Sequence, residues 1–494
     1  MRVNLVSLGC PKNLVDSEMI LGGAGAEGLV ITTSPEDADV IIVNTCTFIE
    51  SAKEESIQAI LGACDLKRAK GSKKKVVVTG CLAQRYGAEL RKEIPEVDAI
   101  LGLGEYEDIG KVLQDIASQK SGQRGKGGKT LFRIGDPDKA CNAEVGRFRL
   151  TPTHYAYVKI SEGCDNPCTF CSIPSFRGGF RSKPIEMLRQ EVQELAGSGA
   201  KEIVLISQDT TSYGMDLYGK LELPRLLETL AGVDGVQWIR ILYVYPSFVT
   251  EEMINAIASI DKVVKYVDIP LQHITDRMLR RMGRRSNETK TRALLQRLRE
   301  RIPGLYLRTT FIVGFPGEDE NEFRALRDFV EDFRFERLGV FSFSPEEGTP
   351  AATFADQIPQ KTREARLEEI MLVQQANAFR HNRSRRGEVV EALVEEFEPP
   401  SRNDAGSSRK PARIQLRARS YGEAPEIDPS ILVACDAAPA ADLPPSFREL
   451  ALAPRGGAAQ RPKARRTGPP APGEFVKVNI TGSRDYDLLA ELAD

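Results

Sequence analysis

Short apolar runs alternate with segments of helical periodicity along most of the chain. In the first part of the sequence such runs cover Val3 to Leu8, Asp39 to Asn44 and Lys75 to Thr79, and each precedes a helix-like segment. Short apolar runs that alternate with helices are typical of parallel strands joined by crossover connections. The pattern therefore predicts an open parallel α/β domain over residues 1–117.

A second series of apolar runs extends over the middle of the chain, with helical segments between the runs. Six such units predict a partial (β/α)6 barrel over residues 151–383. Barrels of this class bind their ligands at the rim formed by the carboxyl ends of the strands. The predicted strands are Tyr155 to Ser161, Glu202 to Gln208, Trp238 to Tyr245, Val263 to Gln272, Tyr306 to Phe315 and Arg337 to Ser344.

The remaining segments are a linker and a small C-terminal domain. Residues 118–150 begin with a run rich in Gly, Ser and Lys, and we predict a linker there. Short strand-like runs after residue 383 predict a small β-barrel over residues 384–494. Residues 436–473 interrupt this barrel with eight prolines and a run of Arg and Lys, a composition typical of disorder.

Composition and charge argue against several classes of function. The net charge of -2 gives no overall basic field of the kind that binds nucleic acid. No apolar run approaches the roughly 18 residues that a membrane span needs. The nine cysteines are an odd number, and the first residues lack the pattern of a secretory signal. We therefore expect a cytoplasmic protein that uses thiols for metal binding or catalysis.

Cys164, Cys168 and Cys171, which we call the barrel triad, form the most specific local motif. Three thiolates without a nearby fourth leave one metal position of an iron-sulfur cube free for another ligand. Ferredoxin motifs have two residues between successive cysteines, whereas the first gap here has three. The alternative is a zinc site, but zinc needs further Cys or His ligands and the chain has three histidines. The motif favours an open cube.

Cys10, Cys46 and Cys81, which we call the sheet triad, each lie within two residues of the end of a predicted strand. Because the carboxyl ends of parallel strands meet at one edge of a sheet, we expect the three thiols to lie together and hold a second cluster. The alternative is that they are buried as small hydrophobic residues. We apply that alternative to the cysteines without such placement, namely Cys64, Cys141 and Cys435.

Two glycine-rich runs and three polar residues are further candidates. Gly23 to Gly28 has the spacing of a dinucleotide-binding loop but follows a helix, so we predict an ordinary loop. Gly314 to Gly317 follows a strand and is either a ligand-binding turn or an ordinary one. Gln208, Gln272 and Arg308 are polar in apolar surroundings, where such groups pair with each other or bind a cofactor.

The segments around both triads resemble the methylthiotransferase family of radical S-adenosylmethionine enzymes. The resemblance covers nearly the whole chain. It implies an N-terminal methylthiotransferase domain, a radical S-adenosylmethionine core and a C-terminal TRAM barrel. The matching segments are Ser7 to Asn13, Asp16 to Glu18, Asn44 to Cys46, Thr79 to Cys81 and Cys164 to Cys171.

The resemblance also implies roles for these residues. The barrel triad would hold the 4Fe-4S cluster that cleaves S-adenosylmethionine to a radical, and the sheet triad would hold an auxiliary 4Fe-4S cluster that carries the sulfur. One S-adenosylmethionine would donate the methyl group and another would supply the radical. Phe170 would pack near the adenine. Gln208, Gln272 and Arg308 would contact the cofactor.

Pro11 to Asn13, Ile206 to Asp209 and Ala424 to Asp428 are similar to the branch of the family that modifies a ribosomal protein. This similarity implies insertion of a methylthio group at the β-carbon of an aspartate in small-subunit ribosomal protein S-twelve. The implied partners are that protein or the small ribosomal subunit, an electron donor and a sulfur source. The insert 436–473 departs from the family pattern, and we separately hypothesise that its basic run Arg455 to Arg466 contacts ribosomal RNA. Two alternatives are the transfer-RNA adenosine methylthiotransferase and a non-catalytic iron-sulfur electron carrier.

Overall fold

The computed structural model describes residues 1–106, 108–118, 130–139, 146–398, 413–436 and 469–493. Within these ranges the chain forms two parallel α/β units and a closed β-barrel, as the sequence predicts. No helix in the described ranges is long and apolar enough to cross a membrane.

The first unit is a six-stranded parallel sheet with helices on both faces. Val40 and Ile42 pack on one face while Ile41 and Val43 pack on the other, as expected of a strand that is covered on both sides. In spatial order the strands are β2 (Val30–Ile31), β1 (Arg2–Ser7), β3 (Val40–Thr45), β4 (Lys75–Gly80), β5 (Ala99–Leu101) and β6 (Leu131–Arg133). The helices are α1 (Pro11–Ala26), α2 (Glu50–Arg68), α3 (Cys81–Glu93) and α4 (Ile109–Ser118).

Two parts of this unit differ from the sequence prediction. β6 pairs in parallel with β5, although it lies within the predicted linker 118–150. α1 continues to Ala26, so the loop predicted for Gly23 to Gly28 is wrong over most of its length. Ala24 is buried in the same core as Ile109 of α4, and this packing outweighs the low helix propensity of glycine. The domain boundaries themselves stay predictions.

The second unit is a partial barrel of six parallel strands that neighbour one another in chain order. Its strands are β7 (Tyr155–Lys159), β10 (Glu202–Ile206), β11 (Trp238–Ile241), β12 (Val263–Asp268), β13 (Tyr306–Val313) and β14 (Arg337–Ser342), and a separate antiparallel pair is formed by β8 (Ser161–Glu162) and β9 (Arg181–Ser182). Its helices are α5 (Ile173–Arg177), α6 (Ile185–Gly197), α7 (Met215–Tyr218), α8 (Leu223–Ala231), α9 (Glu251–Ser259), α10 (Asp276–Arg281), α11 (Glu288–Arg301), α12 (Glu320–Phe333) and α13 (Gln360–Ser384).

The C-terminal unit is a closed barrel of five strands. The strands are β15 (Val389–Glu398), β16 (Arg413–Arg419), β17 (Ile431–Asp436), β18 (Phe475–Arg484) and β19 (Asp487–Leu492). The insert predicted to be disordered lies between β17 and β18, and its residues 437–468 are outside the described residues. The barrel closes on either side of this insert.

Aromatic contacts join the C-terminal barrel to the amino-terminal end of the partial barrel. Trp238 meets Phe475 edge to face with ring centroids 4.7 Å apart, and Tyr306 meets Tyr421 in the same way at 5.4 Å. Trp238 and Tyr306 begin strands β11 and β13, so they mark the end of the barrel opposite its carboxyl rim. The C-terminal unit therefore fills the end that the predicted ligand site does not use.

A buried ion cluster reinforces this contact. The Glu202 carboxylate accepts hydrogen bonds from Arg240 Nε and from Arg419 Nη2, each at 2.7 Å. All three side chains are buried. Arg419 comes from the C-terminal barrel, so Glu202 links two units of the chain.

We expect Glu202→Gln to lower the free energy of unfolding by about 3 kcal/mol, because the buried Arg240 would lose its carboxylate partner and Arg419 would keep only Glu395. Denaturant unfolding followed by circular dichroism measures this change. Glu396→Gln is the matched control, since the pair between Glu396 and Arg417 is nearly half exposed. We expect its effect to stay within about 0.5 kcal/mol. Equal effects of the two substitutions would contradict the role of Glu202.

Candidate iron-sulfur site

The sheet triad lies at the carboxyl ends of three neighbouring strands. Cys10 is the N-cap residue of α1, Cys46 directly follows β3, and Cys81 is the first residue of α3. β1, β3 and β4 are adjacent in the sheet, so their ends meet at one edge. The structure therefore brings together the three thiols that the sequence predicts to lie together.

Two glycines allow the turns that present these thiols. Gly9 and Gly80 directly precede Cys10 and Cys81, and their φ angles are +89° and +94°, a region that favours glycine. A Cβ atom on Gly9 would lie 2.9 Å from Cys46 Sγ. A larger residue would therefore push this thiol away from the Cys10 turn.

Burial raises the pKa of two thiols of the sheet triad. It raises the pKa of Cys81 to about 12, an effect that nearby Arg177 opposes and that the neighbouring Cys10 and Cys46 increase. Burial also raises the pKa of Cys46. Because iron binds the thiolate, we infer that loading of this site releases protons.

The barrel triad follows β7 at the carboxyl rim of the partial barrel. Cys164 Sγ accepts a hydrogen bond from Asn166 Nδ2 at 3.4 Å, and Cys168 Sγ accepts one from Arg284 Nη1 at 3.6 Å. Burial raises the pKa of Cys164 to about 11 and that of Cys171 to about 12, and other thiols of the triad add to both shifts. These thiols are thus close enough to interact electrostatically, and their binding of one cluster stays a prediction.

Neither triad surrounds a single metal position. Among the residues that the structure describes, no group of three or more Cys, His, Asp or Glu side chains is arranged to hold one ion. A zinc ion needs its ligands around one point, whereas the thiolates of a four-iron cube each bind a different iron. The assignment of the two triads to two cubes stays a prediction.

A buried charge network, which the sequence analysis missed, joins the sheet triad to the barrel. Arg177 donates to Cys81 Sγ from Nε at 3.3 Å and from Nη2 at 3.2 Å. It also pairs with Asp16 and with Glu162, each at 2.9 Å. Lys159 pairs with the same two carboxylates at 2.6 Å. Two cations and two carboxylates therefore balance one another beside the Cys81 thiol.

The same network places the two triads near each other. Arg177 ends α5 and lies six residues after Cys171 of the barrel triad. The five residues of α5 rise about 7.5 Å, and Cys171 lies two residues before the first of them, so the two triads lie near opposite ends of one short helix. Arg177 carried no local signal in the sequence, because its partner Asp16 is 161 residues away.

Gln208 and Gln272 suit a polar ligand. Each has a buried side-chain oxygen with no hydrogen-bond partner within the described part of the chain. Gln208 Nε2 donates to Glu162 Oε1 at 2.7 Å, and Gln272 has a φ angle of +73°, which is unusual for a residue with a side chain. Buried polar atoms without partners call for a ligand or water. Both residues remain predicted contacts of S-adenosylmethionine.

Phe170 and Arg308 already have protein partners. Phe170 packs edge to face against Phe315, with ring centroids 6.4 Å apart. Arg308 Nη1 donates to Asp268 Oδ1 at 2.8 Å, and its Nε lies 3.9 Å from Asp428 of the C-terminal unit. Their roles as cofactor contacts also stay predictions, and Arg308 has a structural role in addition.

The Gly314 to Gly317 turn uses its backbone donors internally. The Gly314 N–H donates to Glu318 Oε2 at 2.6 Å. Arg366 pairs with the same carboxylate at 2.9 Å. These contacts favour an ordinary turn over one that binds a ligand.

Comparisons with known proteins decide the family. Residues 2–102 match "Uncharacterized protein family UPF0004", and residues 158–330 match the radical SAM superfamily. "Ribosomal protein uS12 methylthiotransferase RimO" of Acetivibrio thermocellus is 43% identical to this chain, covering 99% of the chain and 98% of that protein. The protein of the same name from an Anaeromyxobacter species is 45% identical, with coverages of 99% and 93%. The chain belongs to the RimO methylthiotransferase family.

The chain is therefore a radical S-adenosylmethionine enzyme that transfers a methylthio group, and the electron-carrier alternative is wrong. Enzymes of this family use S-adenosylmethionine and 4Fe-4S clusters, as predicted. A similar solved structure is the radical S-adenosylmethionine methyltransferase TsrM of Kitasatospora setae with cobalamin and [4Fe-4S] cluster bound. It is 16% identical with a TM-score of 0.51, covering 71% of this chain and 73% of that chain, so the likeness shows the fold alone.

We expect the anaerobically purified chain to bind about eight irons, and a triple alanine variant of either triad to bind about four. Iron and sulfide analysis measures both. Cys64→Ala is the control, because Cys64 is buried away from both triads in the core of the N-terminal unit. Undiminished iron in either triple variant would show that its triad does not hold a cube.

Proposed function

We propose that this chain inserts a methylthio group at the β-carbon of an aspartate in ribosomal protein uS12. The proposal is carried by the 43% identity, over 99% of the chain, to a protein named for this substrate. Two triads of thiols on either side of α5 support it, because the reaction needs both a radical source and a source of sulfur.

The proposed roles of the triads differ. The barrel triad holds the cluster at which S-adenosylmethionine is cleaved, and the sheet triad holds the cluster that provides sulfur. Gln208 and Gln272 follow strands β10 and β12 at the carboxyl rim of the partial barrel. They would orient the cofactor through side-chain oxygens that have no partner among the described residues. Phe170 and Arg308 complete the proposed cofactor contacts.

Further partners are proposed from the needs of the reaction and from the composition of the chain. The reaction needs an electron donor and a sulfur source. The basic run 455–466 is proposed to contact ribosomal RNA, and it lies outside the described residues. Unchanged affinity for the small subunit after deletion of this run, across salt concentrations, would remove that contact. Because the proposed substrate belongs to the ribosome, the proposed place of action is the cytoplasm.

Substitutions in the two triads should affect different steps of the reaction. Cys164→Ala should abolish release of 5'-deoxyadenosine from S-adenosylmethionine, because no cluster would remain to reduce the sulfonium. Cys46→Ala should retain part of this release but stop sulfur insertion. Chromatography of reduced, reconstituted protein with cofactor and substrate peptide measures both products. Full insertion activity in either variant would refute the division of roles.

The substrate is tested in cells that lack the protein. We expect mass spectrometry to show uS12 without its methylthio group, while digested transfer RNA keeps its methylthioadenosine. Return of the uS12 modification with the wild-type chain, but not with Cys46→Ala, is the control. The opposite pattern, with loss confined to transfer RNA, would establish the transfer-RNA enzyme instead.

A further inference from the structure

We propose that Arg177 is a positioning residue that fixes the Cys81 thiolate and raises the reduction potential of the cluster held by the sheet triad. The inference rests on the proposed assignment of that triad. Two nitrogens of the guanidinium lie 3.2 and 3.3 Å from Cys81 Sγ, which is the distance of an N–H···S hydrogen bond.

Arg177 is itself held rigidly. Its Nη1 donates to both oxygens of Glu162 at 2.9 and 3.0 Å, and its Nη2 donates to Asn13 Oδ1 at 2.6 Å and to Asp16 Oδ2 at 2.9 Å. The side chain is 4% exposed. A guanidinium with all three nitrogens engaged cannot rotate away from the sulfur, so its N–H groups stay directed at the ligand.

The charges explain the effect on the cluster. Arg177 and Lys159 are balanced by Asp16 and Glu162, so a thiolate at Cys81 adds negative charge that this network does not offset. Reduction of the cluster adds one more negative charge. Hydrogen bonds to cluster sulfurs stabilise that charge and shift the potential upward.

Lys159 provides a matched comparison. Its ammonium group binds the same two carboxylates as Arg177 and is equally buried, but among the described residues it donates to oxygen and not to sulfur. Removing Lys159 takes one positive charge from the network and leaves the N–H···S bonds in place. The two residues therefore separate the effect of buried charge from the effect of directed hydrogen bonds.

The experiment uses the full chain with the barrel triad replaced by alanine, so that the sheet triad alone binds a cluster. Arg177→Lys, Arg177→Met and Lys159→Met are made in this background. Redox titration followed by electron paramagnetic resonance measures the midpoint potential, and iron analysis measures loading. We expect the potential to fall most in Arg177→Met, less in Arg177→Lys, and least in Lys159→Met. Arg177→Lys keeps the buried positive charge, so this variant controls for unfolding of the protein.

Each result decides the inference. Loss of the about four irons that this background binds, in the Arg177 variants but not in Lys159→Met and with an unchanged melting temperature, supports positioning of the thiolate. An unchanged potential at full iron content in both Arg177 variants overturns the inference. An equal shift in Lys159→Met and Arg177→Met overturns it too, because charge alone would then explain the potential. If the chain with only the barrel triad replaced binds no cluster, the assignment of the sheet triad is overturned, whatever the Arg177 variants show.

Discussion

A compensated charge cluster between the N-terminal unit and the barrel is the interaction on which the site depends. Asp16 lies on α1, whereas Lys159, Glu162 and Arg177 lie in the barrel. Separating the units would leave Lys159 and Arg177 short of one carboxylate, and a buried unpaired charge costs several kcal/mol. The charges are therefore balanced only in the docked arrangement, which is also the arrangement that brings Arg177 to Cys81.

Parallel strand geometry supplies the second constraint. Each thiol of the sheet triad follows a strand, and β7 leads directly into the barrel triad. When the carboxyl edges of two parallel sheets face one another, side chains from both edges can contribute to one site. α5 spans this interface, with Cys171 near its start and Arg177 at its end. The position of each triad is thus fixed by backbone topology, while the charge network fixes how the N-terminal unit and the partial barrel meet.

The sequence was informative where the signal is local. Cysteine spacing and strand periodicity located both triads and all six barrel strands, because these patterns depend on neighbours in the chain. Edge strand β6 was missed because three residues in a polar stretch carry little pattern, and the Gly23 to Gly28 loop was wrong because packing against α4 decides that helix. Arg177 was missed because its role depends on partners that the fold brings together from distant positions.

The contact of the C-terminal unit with the amino-terminal end of the partial barrel determines from which side the barrel triad can be reached. Trp238 and Tyr306 are covered there by Phe475 and Tyr421, and Glu202 binds Arg419 beneath them. These contacts close the amino-terminal end of the partial barrel. A molecule that reaches the barrel triad therefore approaches from the carboxyl rim or from the open edge between β7 and β14.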